Sequence, residues 1–266
     1  MTPKFLTRRL CGLAVVSGLL FTVTVTAAEV HVMISAGFFR AYSELVPIFE
    51  QETGHKLITI RGPSTGDSPE AIPTRLKNGE AADVLLIIGA SIDDLEKQGL
   101  VRTGSKVDFA RSEIGMVVKE GSAKPDISSV EAFKKTLLDA KSIAHSDSAS
   151  GVYLSTTLFK QLGVADQVIG KSRKIKGPPS GEPVAAVVAR GEAEIGFQQV
   201  SELIHEPGVT YVGSIPAELQ QETFYSGALA NAVMQPEAAQ ALIYFLKTAR
   251  AAKAMTDAGL APLVAQ

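Results

Sequence analysis

Apolar residues alternate at Val30, Val32 and Ile34, then recur at Phe39, Tyr42, Leu45, Val46 and Phe49. A period of two giving way to a period near 3.6 predicts a strand followed by an amphipathic helix, and Gly54 suits the position just past a helix end. The same order returns at once. Residues 57–60 read as a strand and 62–68 as a small-residue turn. A helix follows, with Asp67 or Ser68 as cap and Pro69 in the first turn, ending at Asn78-Gly79. Pro73 is awkward inside a continuous helix, so a short first turn and a restart are expected. A strand over 84–88 and a helix from Ser91 complete the unit.

Residues 106–112 are polar between apolar neighbours and read as a crossing segment, after which a strand over 113–119 begins a second set of elements. Helices are expected over 129–139 and 151–162, the latter opened by Ser148-Ala149-Ser150, with a short strand over 142–144 between them. A loop over 171–183, a helix to Arg190 and a strand over 195–198 follow. Residues 224–233 read as the strand that returns to the first set, and Pro236 starts a helix ending near Arg250. Alternating strands and helices predict an α/β protein with mostly parallel sheets. The expected division is one lobe from 29–107 plus 224–266 and a second from 108–223.

With 266 residues and 45% hydrophobic side chains, the chain can bury a substantial core. Lys and Arg number 26 against 28 Asp and Glu, so nothing in the charge balance suits nucleic acid as a partner. Lys4, Arg8 and Arg9 precede an apolar run over 10–25, and Thr26-Ala27-Ala28 offers small residues for cleavage. Residues 1–28 therefore read as a secretory signal peptide and place the mature chain in the periplasm. The run is shorter than the ~20 residues of a membrane span. The single cysteine, Cys11, falls inside that signal, which leaves the mature chain without disulfide, thiolate nucleophile or sulfur ligand. His31, His55, His145 and His205 are widely separated and no metal or nucleotide motif is present, so neither metal nor cofactor is expected.

Four turns carry candidate chemistry. Ser35-Ala36-Gly37 sits where a strand hands over to a helix, so its hydroxyl and the N–H groups beyond suit an anionic oxygen; a plain helix cap has the same pattern. The segment from Arg61 to Asp67 groups the hydroxyls of Ser64 and Thr65 with flexible backbone beside a strand end, although an ordinary loop is equally consistent. In the stretch from His145 to Gly151, Ser148, Ser150 and the Gly151 N–H are candidate ligand contacts. Asp147 and His145 there are candidate general base and acid, against a reading in which Asp147 caps the turn and His145 is simply packed. Gln198 closes the strand near 195–198, where an amide offers both donor and acceptor to a carboxylic acid. Arg40 and Arg61 lie close in sequence to the first two turns and can pair with planar carboxylates, as Lys176 can from its loop; an ordinary surface charge fits each of the three equally.

The hydroxyl-bearing turn, the helix after it, Asn78-Gly79-Glu80, Ala82-Asp83-Val84 and the helix leading into Gly99-Leu100-Val101 resemble the molybdate-binding type of periplasmic solute-binding protein. The likeness runs over about 29–262. It implies a type II fold of two lobes closing over a small anion. It also implies that Ser35 and Ser64 contact the anion and that Gln198 stands where the family commonly presents a tyrosine. Molybdate sites of this kind are neutral hydrogen-bond cages, and Thr65-Gly66-Asp67-Ser68-Pro69 departs from the usual Ser-Gly run by enlarging the turn and adding a carboxylate.

Two functions follow from the resemblance. One is a monomeric receptor that hands molybdate or another small oxyanion or carboxylate to an ABC permease. The other, ranked first because of the enlarged turn, Gln198 and the nearby arginines, is the aconitate isomerase branch. It implies cofactor-free interconversion of trans- and cis-aconitate by an allylic proton shift. Asp147 is then the expected proton carrier ahead of His145, with Asp67 and Glu182 next.

Overall fold

The computed structural model describes residues 27–263; the expected signal peptide lies almost wholly outside them. The first strands and helices alternate as the periodicity predicts: β1 (Glu29–Ile34), α1 (Ala36–Thr53), β2 (Lys56–Arg61), α2 (Ile72–Lys77), β3 (Val84–Ile88) and α3 (Gly89–Lys97). Gly54 ends α1 in the left-handed conformation at φ 76° and returns its N–H to the Glu50 carbonyl. The helix expected from Pro69 begins only at Ile72, because Pro73 is tolerated in a first turn and nowhere later; residues 68–71 form a separate turn.

The chain continues through β4 (Val107–Ser112), β5 (Ile114–Lys119), α4 (Val130–Asp139) and β6 (Ile143–Ser146). Next come α5 (Ala149–Tyr153), carried on by a π-helical turn Leu154–Leu158 into α6 (Phe159–Gln161), then α7 (Ala165–Val168) and β7 (Ser172–Ile175). It ends with α8 (Val184–Ala189), β8 (Ile195–Gln199), a 3₁₀ turn Val200–Glu202, β9 (Val209–Ser214), β10 (Thr223–Leu229), α9 (Pro236–Phe245), α10 (Ala249–Asp257) and β11 (Ala261–Pro262).

These strands form two sheets, ordered β11-β4-β10-β3-β1-β2 and β7-β6-β8-β5-β9. Each has a parallel group of three, β2-β1-β3 and β7-β6-β8, extended by antiparallel strands. The antiparallel members are the strands on either side of the passages between sheets, together with β11. Residues 107–112, expected as a polar crossing, are instead β4, hydrogen-bonded to β10 and β11. The first sheet therefore extends to Ser112, past the 107/108 boundary read from polarity. Only Phe109, Ala110 and Ser112 of this strand are buried, and its pairing partner lies more than a hundred residues later.

Each sheet is packed on both faces. Val30, Val32 and Ile34 of β1 join Phe38, Tyr42 and Phe49 of α1 and the apolar sides of α9 and α10, while Met33 points the other way to Ile72, Leu85, Ile87 and Ile92. In the second sheet Ile114, Met116 and Val118 meet Phe133 and Leu137 of α4, and Val117 meets Val184, Val187 and Val188 of α8. Two separate cores with the chain crossing twice between them give a two-lobed architecture, and the parallel strands of both sheets present their C-terminal ends to one cleft. Asp83, fully buried before β3, accepts the N–H groups of His31, Met234 and Gln235 at 2.8, 2.7 and 2.9 Å and so fixes the start of α9 to the first sheet.

Candidate active site

Loops and helix starts after β1, β2, β3, β6 and β8 close around a cavity of about 240 Å³, as expected at strand C-termini in α/β sheets. Ser35 is the N-cap residue of α1, yet its side chain makes no capping hydrogen bond. Its Oγ is buried in the cavity wall and has no hydrogen-bond partner among the described residues. The hydroxyl therefore does not cap its own helix and is left as an unpaired polar group in the cavity wall. Ser64 Oγ accepts the Ile88 N–H at 3.2 Å, which ties the turn after β2 to the end of β3 and leaves its own O–H to donate into the cavity.

Across the cleft, Ser146, Ser148 and Ser150 form a hydroxyl group, with Ser146 Oγ 2.8 Å from Ser148 Oγ and 3.2 Å from Ser150 Oγ. Asp147 lines the cavity beside them, its Oδ1 accepting the Gly177 N–H at 3.1 Å. Gln198 is committed on both sides: Oε1 accepts the Val184 N–H at 3.1 Å and Nε2 donates to Glu202 Oε2 at 2.6 Å. Gly37 lets a neighbour in, since a Cβ there would lie 1.8 Å from the Tyr225 hydroxyl, which also reaches the cavity. Burial, with Glu202 close by, holds that phenol well above its ordinary pKa, so it remains protonated as a donor.

Of the residues expected from sequence, the cavity brings together Ser35, Gly37, Ser64, Thr65, Asp147, Ser148, Ser150 and Gln198. Arg40 and Arg61 line an adjoining cavity of about 300 Å³ instead. Arg61 lies 4.0 Å over the Phe39 ring; burial lowers its pKa and the charge of Glu202 opposes that. His145 lines neither cavity. It is buried in β6 with Nδ1 3.0 Å from the Ser146 carbonyl, and burial lowers its pKa, so it stays a neutral packed side chain. Gly151 is also outside the lining, and its lack of Cβ serves packing, because a Cβ would meet the Ser146 carbonyl at 1.8 Å. Lys176 and Ser180 reach from the second lobe to Glu70 in the first, at 3.9 and 2.6 Å.

Sequence reasoning missed Lys174, Gln199, Glu202 and Tyr225, all of which line the cavity. Gln199 donates to Thr223 Oγ1 at 2.8 Å and leaves its buried Oε1 without a partner. The Thr223 hydroxyl can equally donate to the amide oxygen, which would turn the NH₂ toward a bound anion. Glu202 has a half-buried carboxyl whose pKa burial pushes up to about 7, against the pull of the Gln198 hydrogen bond and the Arg61 charge. Its place immediately after the Gln198-Gln199 strand end was the available signal. Among the described residues no cluster of three His, Cys, Asp or Glu side chains could hold a metal ion, and no helix is long and apolar enough to cross a membrane.

Residues 30–261 match the family described as bacterial extracellular solute-binding protein. The chain belongs to that family. An aconitate isomerase from a Pseudomonas species is 46% identical over 262 residues, covering 97% of this chain and 98% of that protein. The molybdate-binding protein ModA of Azotobacter vinelandii is 28% identical over 239 residues, covering 88% and 90%. A solved structure of an Azotobacter vinelandii periplasmic molybdate-binding protein superposes with a TM-score of 0.70 at 21% identity, over 90% of this chain and 100% of that one. This solute-binding protein thus has the two-lobed type II fold, with a cleft suited to a small anion.

Proposed function

We propose that this solute-binding protein is an aconitate isomerase, interconverting trans- and cis-aconitate without a cofactor. The observation that carries the reading is its 46% identity, over nearly its whole length, to an aconitate isomerase. The cleft agrees with that chemistry. Hydroxyls of Ser35, Ser64, Ser148 and Ser150 suit carboxylate oxygens, and Lys174 supplies a cation. The same wall carries the carboxyl groups of Asp67, Asp147 and Glu202, side chains that a neutral hydrogen-bond cage for molybdate has no use for and that a proton-transfer reaction needs.

The reaction is an allylic shift. A carboxylate base removes a proton from the substrate methylene, and the electron pair spreads through the adjacent double bond into a carboxylate. The proton is then returned to the far carbon, so the double bond moves with no net change in composition. Hydroxyl and amide donors on the carboxylate that receives the charge stabilise this dienolate. Residues 1–28 act as a removed export signal, and the mature chain works in the periplasm as a monomer. A transport receptor handing an oxyanion to a permease is the second reading, favoured by the likeness to ModA. Proton NMR of purified residues 29–266 with trans-aconitate tests the two: the cis isomer should accumulate. Tight molybdate binding with unchanged trans-aconitate would reverse the assignment.

A further inference from the structure

Glu202 occupies an unusual place in the cleft. Of the residues that line the inner cavity with its hydroxyl cage and the outer cavity with Arg40 and Arg61, only Ala36, Pro178 and Glu202 line both. Among the described residues Glu202 is therefore the one ionisable group on the wall that the two chambers share. A tricarboxylate with one carboxylate in the cage and another toward Arg61 must run its carbon skeleton past that shared wall. With the central carboxylate turned to the opposite wall, the part of the ligand facing Glu202 is the C–H of the two carbons that exchange the proton, and facing C–H is what a base for carbon acids requires.

We propose that Glu202 is the proton carrier of the isomerase, taking the proton from the methylene carbon and returning it to the far carbon of the allylic system. The inference rests on the isomerase reading and names the acting residue within it. Gln198 Nε2 donates to Oε2 at 2.6 Å and fixes the plane of the carboxyl. Its Oε1 makes no hydrogen bond among the described residues and is free to act. Asp147 is placed differently: its Oδ1 is held by the Gly177 N–H beside the hydroxyl group, where it meets a carboxylate end of the ligand rather than the skeleton. The charged and titratable groups about Glu202 are Arg61, Asp147, Glu206 and the Tyr225 phenol. With its pKa pushed up to about 7, Glu202 can both accept and give back a proton near neutral pH. One carboxyl serving both carbons needs no second acid: the carboxylate becomes the carboxylic acid on abstraction and is regenerated on delivery.

The test is the kinetics of Glu202→Gln, Glu202→Asp and Asp147→Asn with trans-aconitate, together with uptake of deuterium from D₂O into the substrate methylene. Glu202→Gln should lose at least ~10²-fold in kcat and lose the exchange, while still binding trans-aconitate by calorimetry. Glu202→Asp, with the carboxyl withdrawn by one methylene, should retain measurable turnover, and it decides the matter if the Gln variant does not fold. Asp147→Asn should move kcat less than tenfold and raise KM. Turnover and exchange persisting in Glu202→Gln, or abolished by Asp147→Asn alone, would overturn the assignment while leaving the isomerase reading intact. No isomerisation by the unmutated protein would overturn both.

Discussion

Removing the Ser35 hydroxyl should change binding and stability in opposite senses. In the folded chain this oxygen is buried, does not cap α1 and has no protein partner among the described residues, so Ser35→Ala breaks no hydrogen bond of the fold. A hydroxyl taken out of water without compensation costs roughly 1–3 kcal/mol, part of which the alanine recovers. Unfolding by urea should therefore show the variant unchanged or more stable, by up to ~1 kcal/mol. The ligand loses a donor to a charged oxygen, an interaction of about 1.5–3 kcal/mol, which is roughly a 10- to 150-fold fall in kcat/KM for trans-aconitate. NMR progress curves measure the second quantity on the same samples. If Ser35→Ala is destabilised by more than ~1 kcal/mol while kcat/KM is intact, the hydroxyl belongs to the fold and the site has been placed wrongly.

Asp83→Ala should have the opposite profile, because it removes a fully buried carboxylate that holds three N–H groups far from the cavity: a loss of about 3–5 kcal/mol in urea unfolding, with KM unchanged in the protein that remains folded. Stability should also depend on Glu202. Its folded pKa of about 7 lies above the ordinary 4.5, so the folded chain holds an extra proton between those values, and the group's contribution to stability is lost as pH rises through about 7. Glu202→Gln, always neutral, should exceed the unmutated protein by roughly 1–2 kcal/mol at pH 8, allowing for the open side of the cleft, with the difference closing toward pH 5. A gap that widens on acidification would mean that Glu202 is ionised in the fold.

The alternation of β1, the 3.6-residue period of α1 and the strand-to-helix turns at Ser35, Ser64 and Ser148 were legible because each is written in a few adjacent residues. The two-lobed fold and the hydroxyl half of the cleft follow from them. Strand β4 was not legible: its segment reads as polar, and β10 makes it a strand from far along the chain. His145 and Asp147 were both candidates beside the same turn, with Asp147 ranked first, and the structure separates them further: His145 lies within a strand buried over all four residues, whereas Asp147 lies beyond its end. Glu202 had only its place just after the Gln198-Gln199 strand end to mark it. Its surroundings arise where a short turn of the second lobe meets Arg61 and the first turn of α1, segments far apart in the chain that only the folded pair of lobes brings together.

The bridge from Ser180 and Lys176 to Glu70 joins the two lobes through side chains that line neither cavity described above for the ligand. Recognition and residence are thereby written in different residues. Changes at the bridge would lengthen or shorten the stay of every occupant alike, whereas changes among the cage hydroxyls would reorder which occupants are preferred. A lineage passing between carrying a solute and converting one could thus adjust its dwell time without rebuilding its specificity.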